Sequence, residues 1–343
     1  MKKKVLLAAL IAVALSSCNK NEMEGPDAPA ANQLAEIKVG QTVEGLTKAA
    51  INVGDAVEAV IIATNGDVPA DWQTFVPVLE NTFTQNDPWS AEKFANVSIG
   101  SFEAGNNQPV GLNPSLYASQ DGATLTGIAP KGTVANGKVT FTVQDAQQDV
   151  MTAETTPKNA VSGGKIDPFS LTFKHRTAQL RFSFGATNAD GNGAWENADI
   201  IVKSVTVKKA FVPQAVKLNE LEMVWTKIAQ NFLLDGFTKN VVTGKYDTDS
   251  NEADFVTVDK QALIKPGETV ELDVVLTIDG VDKSYTAIKP MKDGNNLVTA
   301  EGKYHNISLT VKEPVTPTGT PEIIATATVE DWQAGDEGSA ELK

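Results

Sequence analysis

The dominant period in this chain is two. Ala35, Ile37 and Val39 alternate with Glu36, Lys38 and Gly40. Val139, Phe141 and Val143 alternate with Thr140 and Thr142, and Phe169, Leu171 and Phe173 with Ser170, Thr172 and Lys174. Leu180, Phe182 and Phe184 alternate with Arg181 and Ser183, and Ile307, Leu309 and Val311 with Ser308 and Thr310. The longest run is Val270, Leu272, Val274, Leu276 and Ile278. Successive side chains of a strand point to opposite faces, so each run predicts a strand with one face on a core and one in water. Turn chemistry separates the runs. Asn136-Gly137 just before the Val139 run is a hairpin signal, and Lys265-Pro266-Gly267 reads as a tight turn before the longest run. Helical pattern is scarce; only Val216 to Phe232 suggests a turn or two of helix. The pattern predicts an all-β chain, mainly antiparallel, in two sandwiches.

The chain opens differently. Lys2, Lys3 and Lys4 precede an apolar stretch from Val5 to Leu15, and Ser16-Ser17-Cys18 follows. A basic start, a short apolar core and small residues at a cut site read as an export signal. The apolar core is too short to span a bilayer as a helix. A cysteine directly after Leu-Ser-Ser resembles a bacterial lipobox, which implies cleavage before Cys18 and its lipidation. An ordinary signal peptide with an accidental cysteine is the alternative. Residues 19–32, NKNEMEGPDAPAAN, are polar and acidic and read as a tether.

Two further composition shifts divide the rest. Residues 154–168, ETTPKNAVSGGKIDP, suit an interdomain connection. Residues 312–322 carry Pro314, Pro317 and Pro321 and isolate a last strand, in which Ile323, Ala325, Ala327 and Val329 share one face. A lone strand cannot bury that face, so it needs a groove. The expected organisation is a signal peptide over 1–17 and a tether over 18–32. Sandwich domains follow over 33–160 and 161–312, with a Pro-rich linker and tail strand over 313–343.

The formal net charge of -14 argues against nucleic acid, whose phosphates need Lys and Arg. It also argues against a basic helix lying on a membrane. No second apolar run reaches spanning length, so membrane contact is expected through lipid alone. Cys18 is the only cysteine, so no disulfide forms within the chain and stability must come from packing. After signal removal about 325 residues remain, enough for two cores.

Several stretches together resemble the fimbrillin family, lipoprotein-derived pilins of type V pili. The opening strand followed by Val43-Glu44-Gly45-Leu46-Thr47-Lys48-Ala49 is similar to the family's early segment, with a basic residue after a Gly-containing turn. Asp149-Val150-Met151-Thr152-Ala153 resembles its motif near the end of the first domain. Phe173-Lys174-His175-Arg176-Thr177-Ala178-Gln179-Leu180 resembles its Phe-Lys-His-x-x-Ala-x-Leu strand that opens the second. Ala327-Thr328-Val329-Glu330-Asp331-Trp332 resembles its C-terminal segment.

The resemblance implies two transthyretin-like Greek-key β-sandwich domains in tandem and a C-terminal donor strand. It implies an outer-membrane lipoprotein precursor, cut after a basic residue by a processing protease and built into a surface fimbrium that supports adhesion. The first strand, with Ala35, Ile37, Val39 and Val43, would leave. Ile323, Ala325, Ala327 and Val329 of a neighbouring subunit would take its place. Such strand addition supplies both core side chains and backbone partners, and a head-to-tail contact builds open filaments from identical or related pilin subunits. The family's protease is often arginine-specific, whereas the matching bond here is Lys48-Ala49, and no arginine precedes Arg176. A lysine-cleaving or trypsin-like protease suits it; a solvated turn lysine is the plain alternative. The second reading is a monomeric surface lipoprotein that binds glycan or host protein without polymerising.

An enzyme is not expected. The two histidines, His175 and His305, fall in or at the edge of strand patterns. Lys174 and Arg176 beside His175 suggest a cationic setting that favours neutral imidazole. No Gly-x-Ser-x-Gly elbow, His-Glu-x-x-His helix or Gly-Lys-Ser/Thr phosphate loop occurs, and no cofactor is expected. Asn188, Asp190 and Asn192 before Gly193, with Glu196 and Asp199, form a weak calcium candidate. Its position twelve is Asp and its flanks are β-like, so a long hairpin loop explains it as well. Asp247, Asp249 and Asn251 are weaker still. Asn96-Val97-Ser98 and Asn306-Ile307-Ser308 match the N-glycosylation pattern by chance. Trp72, Trp89, Trp195, Trp225 and Trp332 are spread too evenly for a sugar-binding face and read as packing residues.

Overall fold

The structure is a computed structural model. It describes residues 35–43, 55–64, 95–104, 106, 108–113, 115–118, 123–142, 145–155, 165–187, 198–218, 220–242, 246–247, 252–253, 255–313 and 322–331. Among these residues every regular element is a strand, as the period of two predicts.

The first half holds β1 (Ala35–Glu36), β2 (Lys38–Val43), β3 (Ala56–Thr64), β4 (Ala95–Glu103), β5 (Val110–Gly111) and β6 (Tyr117–Ala118). It continues with β7 (Thr124–Ala129), β8 (Thr133–Ala135), β9 (Lys138–Thr140), β10 (Met151–Glu154) and β11 (Phe169–His175). Seven of them form one sheet in the order β4-β3-β7-β10-β11-β2-β5. Its neighbours are antiparallel except β2 and β11, which run parallel from Val39 against Phe169 to Val43 against Phe173. An isolated bridge between Ile99 and Asn113 joins β4 to the chain just beyond β5, with both N–H···O distances at 3.0 Å. The sheet therefore curls until its two edges meet.

Inside the curl, Ile37, Val39, Ile61, Phe102, Leu171 and Phe173 belong to one core. Outside it, Val60, Ile62, Ile128, Val139, Phe141 and Val216 form a second. β3 and β7 lie between the two, and all six residues of β7 are buried. Cores on both faces explain why AVEAVIIAT and TLTGIA show no clean alternation. Gly127 of β7 gives room to the groove-side aromatics: a Cβ there would lie 2.8 Å from the Phe173 ring.

The second half begins with β12 (Ala178–Thr187), β13 (Ile200–Ala210), β14 (Pro213–Lys217), β15 (Met223–Trp225) and β16 (Gln230–Asp235). The short strands β17 (Val241–Val242), β18 (Tyr246–Asp247), β19 (Glu252–Ala253), β20 (Val256–Thr257) and β21 (Ala262–Ile264) follow. Then come β22 (Leu272–Ile278), β23 (Val281–Ile288), β24 (Met291–Lys292), β25 (Asn295–Asn296), β26 (Lys303–Lys312) and β27 (Glu322–Asp331). Two sheets, β20-β12-β26-β27-β24-β25 and β16-β13-β22-β23, face each other as a sandwich. Between them Leu180, Phe182, Phe184, Val274, Leu276 and Leu309 form the core. The run expected around Val270 is β22, with Leu272, Val274, Leu276 and Ile278 buried and the residues between half-exposed.

Three features are set by pairing between distant segments. Val216 to Phe232 holds no helix; it contributes to β14, β15 and β16. Its apolar spacing was ambiguous over so short a run, and pairing decided it: Ala215, Val216 and Lys217 of β14 sit opposite Thr140, Val139 and Lys138 of β9. The resulting four-stranded sheet, β15-β14-β9-β8, is shared by both halves of the chain and closes the second core.

The first sheet also takes in β11, beyond residue 160. Strand β11 pairs with β10 and β2 in the first sheet, and β12 begins the second after Arg176 and Thr177. A Pro/Gly-rich stretch marks a surface connection but does not say which sheet the next strand joins. Finally, the tail strand finds a seat on its own chain. β27 pairs antiparallel with β26 over all ten residues, from Glu322 against Lys312 to Asp331 against Lys303.

Candidate functional site

The site is a groove and its occupant. Ala35, Ile37 and Val39 are 2%, 0% and 0% exposed, because the odd-numbered residues of this stretch point into the first core. β1 lies against β6, and β2 is inserted between β11 and β5. The Ile37 N–H donates to the Leu116 carbonyl at 2.8 Å. The buried Gln41 amide donates from Nε2 to the Glu103 carbonyl at 3.0 Å. Val43 closes the parallel ladder opposite Phe173. Removal of this stretch would leave an apolar slot and a row of unpaired backbone groups on β11. Cys18, Lys48 and Ala49 lie outside the described residues, as do Asn188, Asp190 and Asn192.

The tail is seated more shallowly. Among its described inward residues only Ala325 is buried, at 5% exposure; Ile323, Ala327 and Val329 are half-buried against the core of the second half. Its outer edge meets β24 at one position, Thr326 against Met291. One electrostatic tie reinforces its end. Arg181 on β12 lies 5.4 Å from the Tyr304 ring. Burial pulls its guanidinium below the usual range, and Glu330 on β27 offsets part of that shift.

The two motifs at 149–153 and 173–180 meet. The His175 Nδ1–H donates to Asp149 Oδ2 at 2.7 Å, and the Thr177 hydroxyl donates to Asp149 Oδ1 at 3.2 Å. The expected cationic setting of His175 is therefore overturned. Strand alternation turns Lys174 outward to solvent, and the charged neighbour inside is a carboxylate. The sequence reading missed this partnership because 26 residues separate the two groups; both lie at buried positions of motifs already singled out.

His305 is a packed strand histidine. Its Nε2 accepts from the Ala300 N–H at 3.1 Å, so Nδ1 carries the proton and points to the Gln179 carbonyl at 3.3 Å. Burial first, and Lys292 to a lesser degree, hold its pKa below the ordinary value. A neutral imidazole in the fold that titrates normally when unfolded contributes stability in full above the unfolded pKa of about 6.5. That contribution is lost as pH falls from there towards the folded value. The unfolding free energy from urea titration is expected to be lower at pH 5 than at pH 7.5, by at most about 1.4 kcal/mol per pH unit from this group. In His305→Gln, whose side-chain oxygen can still accept from Ala300, the difference should shrink; an unchanged difference would rule this out.

Among the described residues no group of three or more His, Cys, Asp or Glu could hold a metal ion. Trp225 packs on the second core. Asn306 stands half-buried on β26 opposite Thr328.

The fimbrillin-like family profile matches residues 47–332. The chain belongs to the fimbrillin-like family. Among solved structures, the chain is similar to a fimbrial protein from Bacteroides vulgatus ATCC 8482, with 14% identity and a TM-score of 0.46, covering 86% of this chain and 99% of that one. It is also similar to the fimbrial anchor protein Mfa2 from Porphyromonas gingivalis, with 10% identity and a TM-score of 0.37, covering 87% and 98%. No curated protein sequence matches it. The family profile, not these distant likenesses, makes the assignment.

Proposed function

We propose that this protein is a structural subunit of a surface fimbrium, made as an outer-membrane lipoprotein through Cys18 and joined to its neighbours by strand exchange. In this reading a protease cuts at Lys48-Ala49, the stretch Ala35–Val43 departs, and Ile323, Ala325, Ala327 and Val329 of a neighbour enter the groove. The family match begins at residue 47, which leaves the departing stretch outside it.

The observation that carries the reading is the difference between the two seats. The first strand's inward residues are at most 2% exposed from Ala35 to Gln41, whereas three of the tail's four inward residues are only half-buried. An apolar strand moving from a shallow edge to a deep slot removes more apolar surface from water, at about 25 cal/mol per Å². Before the cut, the covalent link holds the first strand at high effective concentration and blocks the exchange. After it, the strand can diffuse away. Escape of the incoming strand requires breaking ladder and packing together, so the joint is long-lived.

The seating of β27 on its own β26 favours the second reading, a monomeric surface lipoprotein. Cut protein run in detergent without boiling separates the two. A ladder of multimers that disappears when residues 322–343 are deleted is expected for the fimbrial subunit. A single band from cut full-length protein would sink the polymer reading.

A further inference from the structure

We propose that Asp149, His175 and Thr177 form a positioning device that keeps β11 in place as the acceptor wall once the first strand has gone, an inference that rests on the strand-exchange reading. β11 makes two ladders. The one with β2 joins five residue pairs, Phe169 to Phe173 against Val39 to Val43. The one with β10 joins two, Lys174 to Thr152 and His175 to Met151. Departure of β2 removes the longer ladder, and what remains of β11's strand pairing lies at its C-terminal end.

The buried cluster stands at that end. One carboxylate, ahead of β10, accepts from His175 at the last residue of β11 and from Thr177 just before β12. The histidine and aspartate side chains are 1% and 2% exposed. The Arg176 N–H between them donates to the Val150 carbonyl at 2.8 Å. A hydrogen bond shielded from water is directional and costly to leave unmade. Phe169, Leu171 and Phe173 also hold the wall, through the first core. That hold is non-directional: it retains the strand without fixing where its backbone groups point. Strand addition needs an aligned edge, and an edge already aligned spares the incoming strand the cost of ordering it. Directional bonds at the pinned end supply that alignment, and the same carboxylate ties the wall to the start of the second domain.

The test uses the full-length chain with a specific protease site placed within residues 44–48. After the cut, exchange of the resident strand for a fluorescent synthetic peptide of residues 33–44 is followed by anisotropy. Thermal unfolding of the uncut chain is measured in parallel. Asp149→Ala is expected to weaken peptide binding at least about tenfold, the scale of one buried hydrogen bond. Asp149→Asn should recover most of the loss, because its amide oxygen still accepts from His175 and its NH2 group can donate to Thr177. Thr177→Val should weaken peptide binding by more than its cost to the unfolding free energy of the uncut chain accounts for. A merely structural cluster would lower both readouts together. Should Asp149→Ala fail to fold, Thr177→Val and Asp149→Asn decide. Peptide binding that is unaltered in Thr177→Val, or that falls only as far as uncut stability does, overturns the proposal. The peptide assay needs no tail strand, so absence of a ladder leaves it standing, and a ladder with unaltered peptide binding sinks this proposal alone.

Discussion

Ile37→Asp in the full-length chain is expected to cost roughly 3–5 kcal/mol of stability, while Lys38→Asp, one residue on, should cost less than about 0.5 kcal/mol. The contrast follows from the pleat. Ile37 is fully buried in the first core and its N–H is bonded to Leu116. A carboxylate at that position is set among the apolar side chains of the first core, and either stays charged at great cost or takes up a proton. Lys38 faces out and is exposed. The consequence goes beyond stability. With the first strand unable to seat, β11 loses its five-pair ladder, and the amides of residues 169–173 should exchange with deuterium far faster than in the parent. Equal unfolding midpoints for the two variants would mean that the stretch 35–43 does not occupy the groove in solution.

Ala325→Asp should strip the tail from its seat. Ala325 is the most deeply buried of the described side chains of β27, pointing between the two facing sheets of the second half. A carboxylate there is unpaired and desolvated, whereas the small methyl group it replaces contributes little to the core. Because the neighbouring inward residues are only half-buried, the strand has little else to hold it against that cost. The expected results are rapid proteolytic trimming of the chain beyond residue 313 and loss of the ladder from cut protein. In the proposed exchange the same charge would have to enter the apolar groove of a neighbour, at similar cost. Thr328→Lys, on the outward face, should show neither effect. If the ladder of Ala325→Asp matches that of the parent, some surface other than the tail joins the subunits.

The two variants act on opposite sides of one balance. The first strand is held deep and by the covalent chain; the tail is held shallowly, with one edge nearly open. Such an arrangement keeps an intact chain self-contained, since each apolar strand has a seat, and it leaves the second seat as the weaker one. The shared sheet of β8, β9, β14 and β15 gives the two halves a common core.

Strand positions with water on one face were legible in the sequence because burial on a single side imposes a period of two. That covers β2, β11, β22, β26 and the tail strand, and with them the inward residues Ile37, Val39, Ala325 and Val329. β3 and β7 were not legible: a core on either face leaves no polar positions to alternate with. The stretch 216–232 was misread for a related reason. Its few apolar residues fit two periods, and only the partner strand β9, some 75 residues away, chose between them. Of the candidate site, the sequence determined that two apolar strands lie at the ends of a β-sandwich chain, and which faces of them are apolar. The tertiary structure alone decided that the first is buried between β11 and β5, that the last lies on β26, and that Asp149 meets His175. Each of these is a pairing between distant segments. Pairing is set by which surfaces fit and which backbone groups remain to be satisfied, and neither property belongs to any one stretch of residues.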